Sequence, residues 1–167
     1  MSIARIVCTA FVMALFGGLF GTKSASAELM DCSASQKYKG QSSKEIIRPT
    51  PDRELVQWSF VVSLSSKNPE FDGIEVEIYE HDDQISGTGS HSGYGVYALT
   101  SGERLWTKFE GVHYTTKKGE YWESTAQGVF RFIAGTGKYK AIRGGGHYQT
   151  KSSPAGMTTN AVCSALY

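Results

Sequence analysis

Glu110, Arg143 and His147 are the side chains in this sequence whose types and spacing best suit chemistry. Each falls, by period-two alternation, on a strand face that mixes large aromatics with glycine and alanine. A charged group facing an apolar interior is costly unless it is paired or wet. An arginine there can hold a carboxylate or polarise an oxygen, and a glutamate or histidine beside it can shuttle a proton. A plainer reading stands next to this one. Glu110 and Arg143 would form a structural pair near a barrel rim, with His147 at the open end.

The assignment of faces rests on two hairpins. TKKGE (116–120) suits a three-residue loop, Lys117-Lys118-Gly119, with glycine in the left-handed position. That register sets Tyr114 opposite Trp122 and His113 opposite Glu123. In FIAGTGKYKAIRGGGHYQ (132–149), a two-residue Gly135-Thr136 turn pairs Phe132 with Tyr139 and Phe130 with Ala141. A slip of one residue would swap every face. The inner face then carries Trp106, Val112, Tyr114, Trp122, Ala126, Gly128, Phe130, Phe132, Tyr139, Ala141 and Gly145. The outer face carries Thr107, His113, Glu123, Thr125, Gln127, Arg131, Lys140 and Thr150. Small residues among large aromatics on the inner face predict a hollow. Its ligand contacts would be Trp106, Glu110, Tyr114, Trp122, Phe130, Arg143 and His147.

Other chemistries fit poorly. The glycines of 135–146 lack phosphate-loop spacing, and no helix follows them. Bends and close packing are the favoured reading for glycines in barrel strands. His81, His91, His113 and His147 are scattered without metal-ligand spacing, so no metal is expected. EHDD (80–83) could hold a cation weakly, but an acidic turn between strands is the favoured reading. His113 facing Glu123 reads as an exposed cross-strand pair. No Ser-His-Asp order or paired-carboxylate signature points to hydrolysis.

These residues need elements to position them. Residues 1–27 read as a cleaved leader: Arg5, then the 16-residue apolar run IVCTAFVMALFGGLFG, then a small-x-small site at Ala25 and Ala27. The run is shorter than the roughly 20 residues needed to span a bilayer. The short, plain leader looks bacterial and sends the chain to the periplasm or outside the cell. Residues 28–167 hold 15 Lys and Arg against 16 Asp and Glu, a formal −1. That balance speaks against the basic stripe that nucleic acid needs. No second apolar run is present to insert in a membrane. Cys32 and Cys163, one near each end, are a natural disulfide pair in an oxidising compartment. The bridge would close a loop of more than 100 residues.

Residues 28–53 are polar, with Pro49 and Pro51, and read as an irregular lead-in with at most a short strand near Ile46 and Ile47. Strand signals then repeat over 54–64, 73–80, 85–99, 103–115, 120–133, 138–150 and 157–167, with turn signals between them. ELVQWSFVVSL, for example, alternates Val56, Trp58, Phe60, Val62 and Leu64. No stretch has a helical apolar period. The expected fold is therefore all-β: one domain (54–167), an antiparallel up-and-down barrel of seven or eight strands, with a sandwich as the rival. Leu105, Phe109, Val129 and Ile142 fall on the outer face by the same register, as a candidate subunit interface.

GTGKYKAIRGGG (135–146) resembles the Gly-Thr-Gly-(Lys/Asp)-Phe/Tyr…Ala-Arg-Gly segment of dirigent proteins, which share an eight-stranded barrel with the allene oxide cyclases. Arg143 matches the arginine that closes the motif, with Ile142 inserted before it. The resemblance implies a barrel around an apolar, reactive small molecule, coupling or cyclisation guided without cofactor or metal, and a homo-oligomer, with a trimer favoured. Three functions stay open: a secreted barrel binding a small apolar or aromatic ligand with an oxygen-bearing end; a cofactor-free isomerase or cyclase; and a surface or assembly protein without cavity chemistry. In the first, a fatty-acid-like or phenolic ligand would present its carboxylate or carbonyl to Arg143.

Overall fold

The structure is a computed structural model that describes residues 27–167. The expected leader falls almost wholly outside those residues. The chain runs through β1 (Leu29–Asp31), β2 (Ala34–Thr50), β3 (Arg53–Ser66), β4 (Glu75–Ile85), β5 (Thr88–Ala98), β6 (Arg104–Lys118), β7 (Tyr121–Gly135), a 3-10 helix (Gly137–Tyr139), β8 (Arg143–Ser153) and β9 (Gly156–Leu166). Among the described residues there is no α-helix. Strands β2 to β8 pair antiparallel in chain order, and β9 pairs with both β8 and β2, closing an eight-stranded barrel. β1 is an extra strand lying on β9 just before β2 begins.

The expected all-β barrel is therefore present. The 28–53 segment is not the expected irregular lead-in: it supplies β1 and most of β2. β2 is polar and exposed along its second half, so it shows little of the inside–outside alternation that marks the other strands.

One end of the barrel is filled. Val62, Val76, Leu105 and Phe71 are buried there with Phe132 and Ile142. Tyr139, carried inward by the 3-10 helix, plugs this end with its ring centroid 4.7 Å from that of Tyr167. Lys138 crosses over both rings and binds Glu70 at 2.6 Å. Cys32 and Cys163 form a disulfide in the same floor, with Cα atoms 4.9 Å apart. The Gly-Thr-Gly-Lys-Tyr segment is thus the closing piece of a barrel end.

Two connections differ from the expected turns, and each difference flips a face. β6 and β7 are joined by a two-residue turn, Gly119-Glu120, with Lys118 opposite Tyr121 and Gly119 at φ 63°. Tyr114 consequently meets Thr125, not Trp122, and His113 meets Ala126. β7 runs on to Gly135, and the 3-10 helix occupies the space where the tight Gly135-Thr136 turn was expected. Phe130 therefore meets Gly146, not Ala141. Both shifts are by an odd number of residues, so β6 and β8 turn their opposite faces inward.

Candidate functional site

Above the floor the barrel is hollow, enclosing a cavity of about 260 Å³. Its walls are layered by the sheet register. The lower layer runs Trp58, Glu80, Gly93, Phe109, Phe130, Gly146 across β3 to β8. The middle layer runs Asp82, His91, Gly111, Gly128, Tyr148 across β4 to β8. The upper layer runs Gln84, Gly89, His113, Ala126, Thr150 and, on β9, Thr159. Partly exposed Thr115, Ser124, Ser152 and Met157 ring the mouth.

The middle layer explains its own glycines. Tyr148 on β8 reaches across β7 and β6 to place its hydroxyl 2.5 Å from His91 Nε2 on β5. A β-carbon at Gly128 would lie 2.5 Å from that hydroxyl, and one at Gly111 would lie 2.8 Å from it. Only glycine at both positions leaves the phenol its path. Phe109 packs edge-on against Tyr148, ring centroids 6.1 Å apart. The His113 ring stacks on His91 at 5.7 Å. His113 Nε2 donates to Gln84 Oε1 (3.0 Å), and Gln84 Nε2 donates to Glu54 Oε2 (3.1 Å).

Burial sets the charges. His91 is only 4% exposed. Desolvation first, then the neighbouring His113, pull its pKa down to about 4. Burial also lowers His113, so both imidazoles are neutral at pH 7. Glu80 and Asp82, two residues apart on one face of β4, behave as a pair. Burial first, then the adjacent Asp82 carboxylate, push Glu80 well up. Asp82 is pushed up to about 6, chiefly by burial, against a hydrogen bond from Glu80 and the fields of Lys44 and His81. The two carboxyls thus share a proton, which Glu80 holds the more strongly. Burial first, then the acidic groups around it, raise Tyr148 and keep its phenol protonated.

Among the described residues, three buried side-chain polar atoms lack a hydrogen-bond partner: Trp58 Nε1, Asp82 Oδ1 and His91 Nδ1. All three belong to residues lining this cavity. Buried polar groups are nearly always paired, so a cluster of exceptions at one hollow makes it the candidate site.

The sequence-predicted residues divide. Trp122 and Phe130 line the cavity as expected, with Ala126 between them. Glu110, Tyr114 and His147 are exposed on the outer surface, opposite Val129, Thr125 and Val162 respectively. Arg143 is exposed at the start of β8, opposite Leu166. It is no inward anchor. Trp106 is outward too, alternating with buried Leu105 and Thr107. The supposed outer residues Thr107, His113 and Thr150 all line the cavity. EHDD lies within β4 and is not a turn, and His113 does not face Glu123. The expected outer patch also dissolves: Leu105 and Ile142 are buried and Phe109 lines the cavity, leaving Val129 alone exposed.

Glu80, Asp82, His91 and Tyr148 escape the sequence reading, although a signal exists. Val76, Ile78, Glu80, Asp82 and Gln84 continue one alternating face. His91 sits in alternation with Gly89, Gly93 and Gly95 on β5.

Fold and site together define a closed antiparallel up-and-down barrel with a floor packed at one end and an acid–imidazole–phenol layer in the hollow above it. No protein-family model matches the chain, and no curated protein matches it.

Proposed function

We propose that this protein binds a small aromatic molecule bearing a hydroxyl group, within the barrel. The observation that carries the reading is the set of three unpartnered buried atoms on the cavity wall. A hydroxyl donates to Asp82 Oδ1 and accepts from Trp58 Nε1, while the ring packs among Trp58, Phe109, Trp122 and Phe130. The volume, just under the usual range for small-molecule sites, suits one or two fused rings and excludes a long acyl chain. No lysine or arginine is among the described residues lining the cavity, and two carboxyl groups are. A carboxylate ligand therefore meets repulsion in place of an anchor, which favours the phenolic alternative over the fatty-acid-like one. The disulfide supports an oxidising destination, periplasmic or extracellular. A homo-oligomer belongs to the proposal on the strength of the dirigent resemblance.

Calorimetric titration with 2-naphthol tests this, with 2-naphthoate as the anionic comparator. The naphthol is expected to bind at least tenfold more tightly, a difference of about 1.4 kcal/mol. Equal or tighter binding of the carboxylate refutes the reading.

A further inference from the structure

We propose that the same cavity catalyses a 1,3-proton shift beside a carbonyl, converting a β,γ-unsaturated ketone to its α,β-unsaturated isomer, with Asp82 as the base and Tyr148 as the donor to the oxygen. This inference rests on the cavity being a ligand site, and it adds a reaction to the binding.

Three features carry it. The first is a carboxylate with one free, buried oxygen. Asp82 Oδ1 is buried on the cavity wall without a hydrogen-bond partner, and Glu80 stands beside it on the same face of β4. The second is a neutral donor held in place. With the imidazole proton on Nε2, His91 donates to the Tyr148 oxygen at 2.5 Å, leaving the phenol O–H free to donate to a ligand. The third is spacing. Asp82 and His91 are register partners on adjacent strands, with β-carbons roughly 5 Å apart, and the Tyr148 hydroxyl held by His91 is near enough to Asp82 to feel its charge. Base and donor therefore face the same part of the cavity, as a carbonyl oxygen and its neighbouring carbons require.

The step balances without any co-reactant. The Asp82 carboxylate takes the proton from the carbon between the carbonyl and the alkene. The electron pair of that C–H bond forms a new C=C bond, and the carbonyl π pair moves onto oxygen as a dienolate hydrogen-bonded by Tyr148. The dienolate then collapses, its terminal carbon takes the proton back from Asp82, and the enone is released. Nothing is oxidised or reduced overall. Donors aimed at a developing oxyanion in a site shielded from water are typically worth about 10²–10³ in rate, and a positioned base about 10²–10⁴.

Cyclohex-3-enone is a probe small enough for the hollow, and its conversion to cyclohex-2-enone is followed by ultraviolet absorbance. The wild type is expected to accelerate conversion over buffer and, in heavy water, to place deuterium at the terminal carbon. Asp82→Asn should lose at least 100-fold and Tyr148→Phe at least tenfold, while both still bind 2-naphthol. The rate should rise with pH through about 6 as Asp82 ionises. The groups facing that carboxyl are Glu80, His91, His113 and Tyr148 inside, with His81 and Lys44 nearby. Arg143→Ala, on the outer surface, should leave the rate unchanged. Naphthol binding without conversion overturns the catalytic inference and leaves the binding reading standing. Failure to bind as well overturns both. Conversion by Asp82→Asn at the wild-type rate overturns the role of Asp82.

Discussion

Replacing Asp82 by asparagine should make the protein more stable at pH 8 and not at pH 4. The Asp82 carboxyl is raised from its usual 3.8 to about 6, mainly because burial disfavours its charge. Each tenfold change in proton affinity is worth about 1.4 kcal/mol. Keeping Asp82 ionised in the fold therefore costs about 3 kcal/mol, or about 2 kcal/mol once its remaining solvent exposure is allowed for. The sign comes from a folded pKa above the unfolded one. Below pH 3.8 the carboxyl is protonated in both states and nothing is lost. As pH rises through 4 to 6 the folded state holds more protons than the unfolded, so stability falls, and above about 7 the full cost is present. Asparagine carries no charge at any pH and escapes this cost. His91, lowered to about 4, gives the opposite slope between 4 and 6.5, but it does so in both proteins and cancels in the difference. Burial, the first cause of the raised Glu80 pKa, is unchanged in the variant. Urea unfolding monitored by tryptophan fluorescence, disulfide intact, at pH 4, 6 and 8 measures the difference. It should be near zero at pH 4 and reach about 2 kcal/mol in favour of the variant at pH 8. A flat difference, or one larger at pH 4, would show that Asp82 is not desolvated in the fold.

Two further outcomes concern the frame of the site. Gly128→Ala puts a β-carbon 2.5 Å from the Tyr148 hydroxyl and 2.2 Å from the Glu110 carbonyl oxygen, so thermal unfolding should show a loss of about 3 kcal/mol; an unchanged melting temperature would mean that Tyr148 does not cross β7. Reducing Cys32–Cys163, 131 residues apart, should cost about 5 kcal/mol in the chain-entropy model, and thiol titration of unfolded, unreduced residues 28–167 should find no free cysteine; two free thiols per chain would refute the bridge.

The barrel is legible in the sequence because its strands alternate. Val56, Trp58, Phe60, Val62 and Leu64 on β3 need only to be counted, and the glycine turns separate them from the next run. The site is not, because its legibility depends on parity. A strand shows two faces, and which one is inside has to be inferred from the turns at Gly119 and Gly135. Each turn departs from its expected form by an odd number of residues, so Tyr114, Glu110 and His147 are exchanged for His113 and Tyr148. Trp122 and Phe130 keep their place because β7 is read from its own pattern. Glu80 and Asp82 are hidden for a different reason. Four consecutive polar residues read as a turn, yet the aliphatic face of β4 runs straight on through them. The more general sign lies at His91, a polar residue flanked along its strand's inner face by Gly89 and Gly93.

An eight-stranded barrel has an interior just wide enough for side chains to fill it. A hollow therefore has to be made by leaving side chains out. Below, Val62, Val76 and Leu105 are fully buried in one packed core. Above, Gly93, Gly111, Gly128 and Gly146 supply no side chain, and Ala126 and Ala161 supply almost none. The omissions are not spread evenly. They lie on β5 to β9, facing the carboxyl groups of β4, so the space opens directly against Glu80 and Asp82. Burying two carboxyl groups and two imidazoles works against folding. The same half of the barrel gives up aliphatic packing to do it. The tight floor, with its plug at Tyr139 and its disulfide, offsets that loss at the far end of the same strands. Substitutions in the floor should thus lower stability, whereas Asp82→Asn, in the hollow, should raise it above about pH 7.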